Sequence, residues 1–386
     1  MRNKHKSYNI IFLIPVLVVM LAIFRVAWVI EPLNGDLTRI AGYTENDFGW
    51  NQPQEYLPSK LFSNGENGFF NEHHDVIVFG DSFTNYIPKE VMHQGGYWPN
   101  YFVNQTGLDL LTFHVFDTDV INLIESDAFK KFPPRVFIYE VVERDALGEL
   151  SKITGDCKLR KSPQTKPLLI YPQNNALSTF ARNKKTGISN LNFDQSTHYL
   201  KKTILRKINS NWSMAAKITL DQKGLFSSKL QNETLVFKSD FKFSTDNESR
   251  IQKGLCGLIN LQNKVQSNNV TFFVALIAPD KSSAYSDHSQ SFRDKKNSLS
   301  EYFSKQPINL PRIDIALKQE IDKGIVDVYL PNDTHWGSWG HKTTAKKIVD
   351  YLKNRGVLKK WKSSKRLRSS FVNNGLDMAY RDLPRQ

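Results

Sequence analysis

Apolar residues in this chain come in short runs set between longer polar stretches. Val76 to Phe79, behind Asp75, is the first; the largely apolar Leu108–Phe116, Arg135–Val142, Val270–Ala278 and Ile325–Leu330 follow. Runs without a two-residue alternation are what a parallel sheet buries on both faces. Between them, Tyr97–Thr106 reads as a helix that stops at Gly107, Val120–Phe129 as a second, and Glu248–Gln266 as a third. Ser338–Lys353 reads as the last, with Ser338 as its cap candidate. This rhythm predicts an α/β fold, three layers α/β/α about a mostly parallel sheet, with ligands at the carboxyl ends of the strands.

Three segments stand outside the rhythm. Glu31–Phe70 is polar, with several Asn, Gly and Pro residues, and reads as a linker. Residues 150–245 are rich in Lys, Asn, Ser and Thr, with only short apolar pieces such as Leu168–Tyr171. They read as an insertion into a domain spanning 71–355, serving as a lid or substrate-binding subdomain. Residues 356–386 form a basic tail.

The N-terminus changes the picture most. Arg2, Lys4 and Lys6 precede an uncharged apolar run, Ile10–Phe24, that continues past Arg25 to Ile30. Tyr8–Ile30 is long enough for one transmembrane helix. No small-x-small site follows it, so a retained anchor is expected rather than a cleaved signal peptide. The basic residues ahead of it place the N-terminus in the cytoplasm and the rest of the chain on the far side of the inner membrane.

Over 386 residues, 40% are hydrophobic and 23% charged, enough for a sizeable core, and the net charge is +14. That charge raises nucleic acid as a partner. No zinc-ligand spacing, RNA-binding aromatic signature or phosphate-cradling glycine loop accompanies it, so nucleic acid is not expected. Anionic lipid or polysaccharide accounts for the charge equally well. Cys157 and Cys256 are compatible with one disulfide or with two buried thiols. His73-His74-Asp75 has no third ligand at suitable spacing and reads as a solvated strand entry, and no metal or other cofactor is expected.

Two short motifs carry chemistry. Gly80-Asp81-Ser82-Phe83 directly follows the first strand, where a serine hydroxyl stands exposed and backbone N–H groups can face an oxyanion. A serine needs a base to become a nucleophile. Asp333-Thr334-His335-Trp336 follows the last predicted strand and offers one, with Asp333 orienting His335 and His335 taking the Ser82 proton. Arg144, in Glu143-Arg144-Asp145, either contributes positive charge to the site or pairs with its neighbours. Lys281, in Pro279-Asp280-Lys281, either binds substrate or fills a turn. Trp336 and Trp339 either stack on sugar rings or pack inside.

Taken together, Gly80-Asp81-Ser82 and Asp333-Thr334-His335 resemble the first and last signature blocks of the SGNH (GDSL) hydrolase superfamily. The fuller set, with Glu143-Arg144-Asp145, Pro279-Asp280-Lys281 and Asp333 to Trp336 followed by Gly340, is similar to its alginate O-acetyltransferase branch (AlgJ and AlgX type). The chain departs from that branch in carrying the serine before the Asp-x-His element, as ordinary SGNH enzymes do. It also lacks their Gly-x-Asn-Asp block.

The resemblance covers roughly 70–150 and 250–355. It implies a membrane-anchored, extracytoplasmic O-acetyltransferase acting on a polysaccharide through Ser82, Asp333 and His335, with Asp81, Arg144, Lys281 and Trp336 about the oxyanion and substrate. A multi-pass membrane acyltransferase supplies the acyl donor in such systems. A carbohydrate esterase with the same triad, or a non-catalytic polysaccharide-binding or export protein, are the alternatives.

Overall fold

Strands that are apolar on both faces have to be covered on both, and here they lie at the centre of the molecule. The computed structural model describes residues 2–85, 93–186, 193–241, 248–295 and 298–360, with the side chains of all of these except 2–12 and 293–295. Its strands in chain order are β1 (Gln54–Tyr56), β2 (Ser63–Asn64), β3 (Val76–Gly80), β4 (Leu110–His114), β5 (Val136–Val142) and β6 (Leu168–Ile170). Then come β7 (Ser178–Phe180), β8 (Ala215–Thr219), β9 (Glu233–Phe237), β10 (Phe272–Ala278) and β11 (Leu358–Lys360).

The central sheet has the order β10-β5-β3-β4-β2, and every pairing in it is parallel. Every residue of β3, β5 and β10 is buried. Val78, Ile138 and Val274 face one core, shared with Trp98 and Phe102 of helix Trp98–Thr106 and Ile348 and Leu352 of helix Ser338–Asn354. Ile77, Phe137 and Phe273 face a second core, shared with Leu147 of helix Glu143–Leu150 and Leu255 and Leu258 of helix Glu248–Val265. Each such side chain contributes roughly 1.5–3 kcal/mol of burial free energy, so the two cores fix the sheet between its helices.

The chain leaves β3 for β4 on one side and reaches β5 on the other. The crossovers therefore part at the carboxyl end of β3, the crevice where open α/β sheets place ligands. Ser82 lies two residues beyond that end. Gly80 is required there, because a Cβ on it would come 2.6 Å from Glu140 Oε2 and from Thr84 Oγ1.

Several expectations are corrected. Glu31–Phe70 does not hang free as a linker: it forms the short helices Asp36–Ala41 and Glu45–Phe48, pairs β1 with β7, and adds β2 to the sheet edge. Residues 150–245 are woven into the body, with β6 on β11, β7 on β1, and the β8–β9 hairpin packed on Leu37, Ala41 and Phe48. Ile325–Leu330 is buried from Asp327 on but is not a strand. Asp327 takes a left-handed φ of 56°, turning the chain from the sheet, and only a bridge between Tyr329 and Trp336 remains. Val120–Phe129 is two helices, because Ser126 ends one and caps the next through Phe129 N–H. Gly337, not Ser338, occupies the cap position of the last helix, and the Ser338 N–H donates to Gln54 Oε1.

His74 is not a solvated entry residue: it is buried with Nδ1 2.7 Å from Asp109 Oδ2. Cys157 and Cys256 are joined as a disulfide across 99 residues of sequence. The N-terminal helix runs Arg2–Val29. Among the described residues no helix is long and apolar enough to cross a membrane; the side chains of the first part of the expected span, up to residue 12, lie outside them. Most of the basic tail, 361–386, likewise lies outside the described residues.

Candidate active site

The turn after β3 is held by its own aspartate. Asp81 accepts from the Phe83 N–H through Oδ1 (2.9 Å) and from the Val142 N–H through Oδ2 (3.0 Å), tying the turn to the end of β5. Asp81 N–H in turn donates to Glu140 Oε2 (2.9 Å), which also accepts from Thr84 Oγ1. Burial and the neighbouring Asp81 push the Glu140 carboxyl well above the usual range. Asn85 closes the turn by donating to the carbonyls of Gly80 and Phe113. Thus Asp81 shapes the turn, and its oxygens do not face the cleft as free acceptors.

Ser82 is left half-exposed, with Oγ 2.7 Å from His335 Nε2. On the other side of the ring, His335 Nδ1 lies 2.6 Å from Asp333 Oδ1, which also accepts from the His335 backbone N–H (3.0 Å). These contacts match the serine–base–orienter order of nucleophilic catalysis. Burial alone would raise the Asp333 carboxyl; the charge and hydrogen bond of His335, with the Asp36 N–H, bring it down to about 2. Phe83 is fully buried, with its ring 4.8 Å from that of His335, and walls the imidazole from the core side.

The loop carrying Asp333 and His335 is clamped from three directions. Lys281 is buried, and its Nζ donates to the carbonyls of Leu330 and Leu235, each at 2.8 Å. Burial lowers its pKa to about 8, against the pull of several carboxylates led by Asp36 and Asp333. Trp336 is fully buried behind Phe83, at 4.8 Å between rings. Neither residue reaches the cleft: the lysine holds backbone and the tryptophan packs. Gly340 lets the last helix approach, since a Cβ there would lie 2.5 Å from the Val328 carbonyl.

The third clamp comes from the supposed linker. Asp36 N–H donates to Asp333 Oδ2 (2.9 Å), and the Asp36 carboxylate accepts from both the N–H (2.9 Å) and Oγ1–H of Thr334. Glu45, wholly buried, accepts from the N–H groups of Asn34 and Gly35, from Thr38 Oγ1 and from Asn332 Nδ2. Sequence reasoning missed both acids. Asp36, Asp333 and His335 bring ligand atoms within 4.8 Å of one another, a spacing a cation could use. Their facing lone pairs already accept from Thr334, His335 and the Asp36 N–H, so the group works as a hydrogen-bond relay.

Arg144 lies toward the cleft but faces carboxylates: Asp280 at 2.8 Å, Asp240 at 3.6 Å and Asp145 at 3.9 Å. Those charges raise its pKa despite burial. Asp280 and Asp240 come from β10's end and the stretch after β9, so the insertion also supports this wall. The cleft itself is about 920 Å³ and runs from Ser82 and Arg144 along the loop 114–119 to the helix that begins at Glu143. Among the described residues the Ser82 N–H meets no acceptor, which leaves it able to donate into this space.

Ser82, His335 and Asp333 thus stand in hydrogen-bond sequence at the carboxyl end of a parallel sheet. Residues 235–373 match the SGNH hydrolase-like domain of the acetyltransferase AlgX. The AlgX-like stretch contains Lys281, Asp333, His335 and Trp336; Asp81, Ser82 and Arg144 lie before it. Neither the curated proteins nor the solved structures gave a match. The AlgX likeness supports an acetyltransferase or esterase type of chemistry and agrees with the mixed α/β fold.

Proposed function

We propose that this protein is an SGNH-type serine O-acyltransferase that moves an acyl group, acetyl in the first instance, onto a polysaccharide hydroxyl. The observation that carries the reading is the contact chain Ser82 Oγ–His335 Nε2–Asp333, at 2.7 and 2.6 Å. His335 Nε2 takes the Ser82 proton as Oγ bonds to the acyl carbonyl carbon, and the Ser82 N–H donates to the oxygen that becomes negative. The carbonyl re-forms, the donor's leaving group departs with the proton from His335, and an acyl-serine remains. A sugar hydroxyl then gives its proton to His335 and attacks the acyl carbon; Ser82 leaves as alkoxide and recovers the proton. Asp333, kept ionised by its hydrogen bonds, holds the imidazole in the tautomer that presents Nε2 as acceptor.

With water in place of the sugar the same steps give an esterase, so the acceptor decides the outcome. The N-terminal helix Arg2–Val29, with basic residues ahead of an apolar run, would attach the domain to the cytoplasmic membrane with the active site outside. There a multi-pass membrane acyltransferase would supply the donor. The test is incubation of the purified protein with a chromogenic acetyl ester and a neutral oligosaccharide. Ser82-dependent acetyl on the sugar supports the transferase; free acetate alone, still Ser82-dependent, replaces it with the esterase; Ser82→Ala equal to wild type removes the serine mechanism.

A further inference from the structure

The cleft beside Ser82 has the opposite sign to the chain. The protein carries +14 overall, yet among the described residues Asp81, Asp117, Asp119, Asp145 and Glu149 line this space against Arg144 and Lys152. Both cations are already engaged. Arg144 faces Asp280, Asp240 and Asp145, and Lys152 Nζ lies 2.7 Å from Glu149. Of the acids, Asp81 serves the Phe83 and Val142 N–H groups, and Asp119 caps a helix through the Ile121 and Asn122 N–H groups. Asp117 and Asp145 are both exposed at the cleft, and Asp145 meets Arg144 only at 3.9 Å.

A carboxylate-bearing sugar entering here meets fixed negative charge in a concave wall and, among the described residues, finds no uncommitted cation. Neutral hydroxyls meet good acceptors. The loop 114–119 also presents Phe116, 85% exposed, at the cleft, with its ring 4.6 Å from that of His114. An apolar ring held out over a polar cleft is a stacking surface for the apolar face of a sugar.

We infer that the cleft between loop 114–119 and the helix starting at Glu143 is the acceptor subsite, and that it takes a glycan whose sugars carry no negative charge, stacked on Phe116 and hydrogen-bonded by Asp117 and Asp145. This rests on the acyltransferase reading for the word acceptor, but the binding stands or falls without catalysis.

The experiment is therefore titration calorimetry on the full chain carrying Ser82→Ala, with two ligands of one backbone: a mannuronate tetramer and its carboxyl-reduced mannose counterpart. The reduced tetramer binds, at least tenfold more tightly than the uronate at low ionic strength, and the gap narrows as salt is added. Phe116→Ala weakens the reduced tetramer about tenfold, and the double variant Asp117→Asn, Asp145→Asn improves the uronate about tenfold. Equal or tighter binding of the uronate overturns the inference, as does indifference of the reduced tetramer to Phe116→Ala, or failure of both to bind. None of these results touches the Ser82 chemistry, which the acetyl-transfer assay decides separately.

Discussion

Asp36 lies 297 residues from Asp333 in sequence yet closes the relay behind His335, so its replacement tests whether the N-terminal segment is part of the active site. Asp36→Ala leaves the Thr334 N–H and hydroxyl without their acceptor, while the Asp36 backbone N–H still serves Asp333. Charge-assisted hydrogen bonds of this kind contribute about 1.5–3 kcal/mol each, and part of the loss is regained by water because the Asp36 side chain is 24% exposed. A net loss of about 3 kcal/mol, falling on the loop that positions His335, would lower kcat/KM roughly 100-fold. Asp36→Asn keeps one acceptor for Thr334 and should lose only about tenfold.

The carboxylate also lies 4.0 Å from His335 Nδ1 and favours the protonated ring. Both variants should therefore move the acid limb of the pH–rate profile to lower pH, a change that loosened packing alone would not produce. The assay is hydrolysis of a chromogenic acetyl ester, kcat/KM against pH, with thermal melts alongside. Activity within twofold of wild type and an unmoved limb in both variants would refute the reasoning.

Lys281→Met should loosen the catalytic loop by removing the 2.8 Å donor shared by the Leu330 and Leu235 carbonyls, which keep only the longer bonds from Asp333 N–H and Thr234 Oγ1, at a cost of about 2–3 kcal/mol. Chemical denaturation should show that loss, together with reduced kcat and little change in KM for the ester. Burial, followed by repulsion from His335, lowers the pKa of His341 to about 3, and its Nδ1 accepts from the Trp98 N–H. The unfolded chain binds a proton there below the ordinary histidine pKa while the folded one does not. Stability from this group is thus complete above about pH 6.5 and falls as pH drops, by about 2 kcal/mol at pH 5. His341→Gln, which keeps an acceptor but does not titrate, should flatten that slope; an unchanged slope by denaturant melts at pH 7 and pH 5 assigns it elsewhere. Replacing Cys157 and Cys256 together by alanine releases a link across 99 residues and should cost about 4 kcal/mol of unfolding free energy, with ester hydrolysis at 25 °C within twofold of wild type.

The strands of the sheet are legible in the sequence because their burial is two-sided: β3 and β10 are short apolar runs, and β5 is one broken only by Glu140, which serves the turn after β3. Gly80-Asp81-Ser82 is legible for a related reason, since a tight turn after a buried strand needs a glycine and an acceptor for its own N–H groups. Asp36 and Glu45 are not. They sit in a polar stretch whose composition is that of a linker, and their burial follows from tertiary pairing with Thr334, Asn332 and their own neighbours. Lys281 and Trp336 show the converse. Placed next to motif residues they suggest substrate contact, whereas the structure sets both behind the loop as its supports. Ile325–Leu330 has strand composition, but the left-handed turn at Asp327 interrupts it and leaves only the Tyr329–Trp336 bridge, which composition alone cannot show.

Acylation of Ser82, with His335 as its base, is the step on which the proposed chemistry turns. Intact-protein and peptide mass spectrometry after brief exposure of the purified chain to an acetyl ester, quenched in acid, tests it directly. Wild type should show one acetyl group on the peptide containing Ser82, Ser82→Ala none, and His335→Gln a strongly slowed appearance. Acetylation confined to other residues, or an acetyl-Ser82 yield indifferent to His335→Gln, would contradict it.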